Sequence, residues 1–133
     1  MKQIFSLLTV AAVCAAIWNH SQEPVSVLRD RVEKTLLSAT ARQKIGSILV
    51  ISVNHPRSTI TEVKFNMGGD SFTLISTPAQ FGVGNTYHPP MHIDTNRDGT
   101  ADQYKNQSSE EFQLRNLEYL QLLGRIDSAL SEK

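Results

Sequence analysis

Apolar residues Val25, Leu28, Val32, Leu36 and Ala39 recur at steps of three and four, while Arg29, Arg31, Glu33 and Lys34 mostly take the other sides. A period near 3.6 is that of an amphipathic helix. Pro24 stands in its first turn, where a missing N–H costs nothing. Gly46 is the expected C-terminal stop, so the helix is predicted over residues 24–44. Its apolar stripe is expected to pack on the protein's own sheet rather than on a partner.

The pattern then shortens. Residues 47–53 are a β-branched run with apolar side chains on both faces, predicted as a central strand. Residues 55–58 read as a turn. Residues 59–66 alternate, with Val63 and Phe65 on one face and Glu62 and Lys64 on the other. Gly68-Gly69 suits a tight hairpin, because glycine accepts positive φ. Residues 71–76 follow as a strand with Phe72 and Leu74 inward. Three strands on short connections predict an antiparallel meander.

Residues 78–85, with Gly82 and Gly84 flanking Val83, are predicted as a loop, and Pro89-Pro90 forces extended chain over residues 87–90. Residues 91–93 and 102–105 are expected to be short strands on either side of a polar loop. Ser108 and Glu111 have capping-box spacing and open a last helix. Phe112, Tyr119, Leu120, Leu123, Ile126 and Leu130 form its buried stripe. The expected fold class is α+β: an N-terminal helix, a β-meander, a loop between short strands, and a C-terminal helix packed on the sheet.

The N-terminus changes the domain count. Residues 1–20 read as an export signal, with Lys2 as a minimal positive region, an uncharged apolar run over 4–17, and small residues that admit cleavage after Ala15 or Ala16. The run is short for a bilayer crossing, which takes about 20 apolar residues. An uncleaved anchor is the alternative. A lipoprotein fits less well, since Val13 stands where a small residue normally precedes the modified cysteine. Residues 21–133 remain as one small domain, with an extracytoplasmic location, periplasmic or secreted. Loss of the first 16 residues removes Lys2 and no acid, which shifts the net charge from 0 to about −1. Nothing in that balance points to nucleic acid. Cys14 is the only cysteine and lies in the signal, so the mature domain has no disulfide.

Chemistry concentrates at residues 94–102. Asp94, Asn96, Asp98 and Asp102 place side-chain oxygens at loop positions 1, 3, 5 and 9, with Gly99 at position 6. Calcium takes six to eight oxygen ligands, and a tightly wound loop delivers them at this spacing. Gly99 permits the sharp bend. The carboxylates repel one another without a cation, so the empty loop is expected to be mobile. The competing reading is a polar turn whose Asx side chains bond their own backbone.

The stretch resembles the calcium loops of EF-hands, dockerins, thrombospondin type 3 repeats and integrin-like β-propeller repeats. The resemblance covers residues 94–102 alone. It implies Ca2+ as the bound ion, with Asp94, Asn96, Asp98, Thr100 (through its backbone carbonyl) and Asp102 as ligands. Two features depart from an EF-hand. Pro89-Pro90 opposes an entering helix, and Lys105 stands where a bidentate glutamate closes the loop. A strand–loop–strand setting fits better. Glu110 and Glu111 are the nearest acids able to complete the shell. Such a site is expected to bind weakly, with Kd on the order of 10⁻⁴ to 10⁻³ M.

Other chemistry is poorly represented. His88, His92 and Asp94 suggest a transition metal, but extended chain holds residues four apart about 13 Å from each other. There is no nucleophile elbow and no phosphate-cradling loop, and enzymatic activity is not expected. The expectation is an exported calcium-binding structural or binding module with an unidentified protein partner. The alternative is a membrane-tethered interaction subunit of an envelope assembly, which requires the N-terminal segment to stay uncleaved.

Overall fold

The computed structural model describes residues 24–54, 59–86, 91–101 and 109–132. Helix α1 (Val25–Leu37) is followed by six strands and helix α2 (Ser109–Leu130). The strands are β1 (Gln43–Ile45), β2 (Ile48–Asn54), β3 (Thr61–Met67), β4 (Asp70–Ser76), β5 (Phe81–Asn85) and β6 (His92–Asp94). They form one sheet in sequence order, each antiparallel to the next. The fold is α+β, with an N-terminal helix, a six-stranded meander and a C-terminal helix on the sheet.

The inward face follows the register. Val50 lies opposite Phe65, Phe65 opposite Phe72, Val63 opposite Leu74 and Leu74 opposite Val83. These side chains meet Leu28, Val32 and Leu36 of α1 and Tyr119, Leu123 and Ile126 of α2 in one core. Each large residue so buried contributes roughly 1.5–3 kcal/mol. The Phe65 and Phe72 rings stack across β3 and β4 with centroids 5.5 Å apart. Gly68 and Gly69, at φ +61° and +84°, make the β3–β4 turn.

Three expectations are corrected. The first helix ends at Leu37, not near Lys44. Its apolar period had already run out at Ala39, which turns into the core after the helix. The chain then reverses through Arg42, at φ +61°, and continues as the edge strand β1. Gly46 serves the β1–β2 turn. A Cβ there would lie 2.0 Å from the Ala129 carbonyl oxygen, so α2 seats directly on this glycine. The Ser47 amide donates to the same oxygen at 2.9 Å.

The second correction concerns β2. It is buried on one face only, since Leu49 and Ile51 remain 38% and 39% exposed. A register shift between Val50 and Ser52 interrupts its alternation. The third is that residues 81–85 are a strand. Phe81 and Val83 point into the core, and Gly82 lies on the other face, where the Ile93 side chain closes over it. Glycines at the alternate positions had hidden the period of two. The Asp102–Lys105 strand and the Ser108 cap lie outside the described residues.

Candidate functional site

β6 delivers Asp94 to the inward face opposite Phe81, where its side chain is wholly buried. A carboxylate removed from water costs several kcal/mol unless it is paired and hydrogen-bonded. Asp94 is both. Its Oδ2 accepts from the Gly99 amide at 2.7 Å and from Arg29 Nη1 at 3.2 Å, and its Oδ1 accepts from the Asp98 amide at 3.1 Å. The chain therefore curls back around its own first acid.

The following side chains repeat the device. Asn96 Oδ1 accepts from the Asp98 amide at 3.2 Å, and Asp98 Oδ1 accepts from the Thr100 amide at 2.8 Å. Two residues take positive φ to allow the curl, Arg97 at +58° and Gly99 at +95°. Asp94, Asn96 and Asp98 are thus wound into one tight loop with Thr100 at its end. Asp102 lies outside the described residues. Among the described residues, no three histidine, cysteine, aspartate or glutamate side chains gather in a metal-holding group.

The rest of the molecule clasps this loop. Arg29 Nη1 also donates to the Arg97 carbonyl at 2.9 Å. Arg97 returns the contact by gripping both Glu33 oxygens at 2.6 and 2.8 Å, and it donates to the Thr77 carbonyl at 2.7 Å. The Ser76 hydroxyl donates to Glu33 Oε2 at 2.8 Å. The Ala101 amide donates to Asn116 Oδ1 of α2 at 2.7 Å. α1, the β4–β5 turn and α2 all hold residues 94–101.

Arg29 was placed on the polar side of its helix by sequence, yet it is only 5% exposed. The signal was available. Residue 29 follows Val25 by four and precedes Leu36 by seven, so it shares their stripe, and a charge on a buried stripe demands a partner. Glu33 and Asn116 carried no comparable mark. The expectation that the loop carboxylates repel one another left out Arg29, which puts a positive charge beside Asp94.

The histidine–carboxylate metal reading also changes. Asp94 faces Arg29, whereas His92 faces α2, with Nε2 3.6 Å from Glu118 Oε2 and its ring 6.3 Å from that of Tyr119. His88 lies outside the described residues. Burial lowers the His92 pKa from its ordinary value of 6.5, with Glu118 raising it and Arg115 lowering it more weakly. The Tyr119 hydroxyl is buried without a hydrogen-bond partner among the described residues. Burial, and next the charge of Asp94, hold its pKa far above the ordinary 10, so it stays protonated.

Among the described residues, no helix is long and apolar enough to cross a membrane. The proposed signal or anchor, residues 1–20, lies outside them. No family model, curated protein or solved structure matches the chain.

Proposed function

We propose that residues 94–102 hold a calcium ion and that the protein is an exported calcium-stabilised structural or binding module. The observation that carries this reading is the division of labour on Asp94. Oδ2 is occupied by Gly99 and Arg29, while Oδ1 accepts a single amide at 3.1 Å and keeps a lone pair for a cation. Asn96 and Asp98 offer further oxygens from the same winding. The donors are all hard oxygens, the set that calcium prefers and zinc does not. Thr100 supplies a carbonyl and Asp102 a further carboxylate. Arg29 offsets part of the loop's negative charge, which keeps affinity at the weak end, in the range of extracellular calcium modules. The ion acts by fixing the loop on α1 and so ordering the surface around it.

Calorimetric titration of the mature protein, together with thermal melts in calcium and in chelator, tests this. At calcium tenfold above Kd, the fold gains about 1.4 kcal/mol, a rise of several degrees in Tm. Asp98→Ala should abolish both the heat and the rise. Absence of heat at 10 mM calcium would reduce the loop to a self-bonded polar turn.

A further inference from the structure

α2 carries a second stripe beside the one that enters the core. Glu118, Gln121, Leu122 and Arg125 follow one another at helical spacing and face the ends of β4, β5 and β6. Between them lies a cleft of about 320 Å³, open on one side. Phe72 and Leu122 give it apolar walls, Gly84 contributes backbone without a side chain, and the His92 imidazole, 7% exposed, lies at the bottom. It is separate from the loop at residues 94–101.

The charges around the cleft are unequal. Glu118 is already answered, because Arg115 Nη1 stands 3.1 Å from its Oε2 and His92 Nε2 3.6 Å from the same oxygen. Arg125 lines the cleft and its guanidinium makes no ion pair or hydrogen bond among the described residues. One cation is therefore left over beside an apolar wall. A guanidinium fork matches a carboxylate in two parallel hydrogen bonds. The volume is at the lower end of the range for ligand sites, enough for an acid built on a single ring or a short chain.

We propose that this cleft binds a small monocarboxylate with an apolar body. The carboxylate pairs with Arg125, the body lies between Phe72 and Leu122, and Gln121 offers its amide at the edge. A cationic ligand is disfavoured, since the acid present is already neutralised by Arg115.

The test is a titration of the ¹⁵N-labelled full chain with sodium benzoate, followed by amide shifts, beside an identical titration with benzylamine. Benzoate should give saturable shifts centred on Gly84, Asn85, Gln121 and Arg125, with benzylamine giving none there. Arg125→Gln, on an exposed position that leaves the core untouched, should weaken benzoate about tenfold or more, the usual effect of losing a charge-assisted pair. Arg125→Lys should retain part of the binding. Shifts that never saturate, shifts elsewhere, shifts indifferent to Arg125→Gln, or equal binding of benzylamine would each overturn the proposal.

Discussion

Arg29 Nη1 lies 3.2 Å from Asp94 Oδ2, and the two side chains are buried together although 65 positions separate them in the chain. This pair joins α1 to β6 at the loop where the oxygen donors wind. Breaking it from one side strands a carboxylate inside the protein, at a cost of about 3–5 kcal/mol. Arg29→Met should lower the urea midpoint accordingly. Arg29→Met with Asp94→Asn should recover at least about 1 kcal/mol of that loss, because no charge is left buried and the amide oxygen still accepts from Gly99. A loss below about 1 kcal/mol for Arg29→Met would show that the pair does not anchor the loop.

Gly46 and Gly68 share a positive φ, +59° and +61°, but not an environment. A side chain at Gly68 meets nothing within 4 Å, so Gly68→Ala should cost only the backbone term, roughly 1–2 kcal/mol. A side chain at Gly46 meets the Ala129 oxygen at 2.0 Å and the Leu130 carbonyl carbon at 2.8 Å. Backbone cannot yield there without lifting the end of α2. Chemical denaturation should place Gly46→Ala at least about 2 kcal/mol below Gly68→Ala.

Gly99 separates the loop's shape from its chemistry. An alanine Cβ there would sit 3.5 Å from the Val25 Cβ, an ordinary contact, so the cost arises from φ +95°. Gly99→Ala should therefore lose about 1–3 kcal/mol even in chelator, and calcium affinity with it. Asp98→Ala, at an exposed position with one local hydrogen bond, should lose about 1 kcal/mol or less in chelator while removing the calcium-dependent rise entirely. Paired melts with and without calcium separate the two.

His92 makes stability depend on acid. Its pKa in the fold lies below the 6.5 of an unfolded chain, with Glu118, Arg115 and Tyr119 facing it from α2. Between those two values the unfolded state binds more protons, so stability is complete above pH 6.5 and falls as pH drops through 6.5 toward the lower folded value. Below that the contribution levels off. His92→Gln should flatten this part of the profile in denaturant midpoints measured from pH 7.5 to 5. An unchanged slope would assign the acid sensitivity to other groups.

Periodic segments were legible without a structure. The α1 stripe, the alternation of β3 and β4, the Gly68-Gly69 turn and the α2 stripe each repeat a local rule over enough residues to reveal their facing. Segments where the rule was diluted were not. β5 presents glycine at alternate positions, so its two inward side chains left no visible period. β1 is three residues long and exists because β2 offers an edge. The loop's winding was foreshadowed by oxygen at positions 1, 3 and 5 and glycine at 6, all of which bond within eight residues of one another.

By itself, then, the sequence determined the elements whose cause is local: side-chain periodicity, turn glycines, and the spacing of a self-wrapping polar loop. The tertiary structure alone decided that Arg29 is buried against Asp94, that Arg97 reaches Glu33, that Asn116 holds Ala101, and that Arg125 overlooks a cleft floored by His92. Those relations join residues between 15 and 65 positions apart. Their physical basis is the cost of burying a charge or an amide unsatisfied, which becomes definite only when packing chooses which groups share an interior.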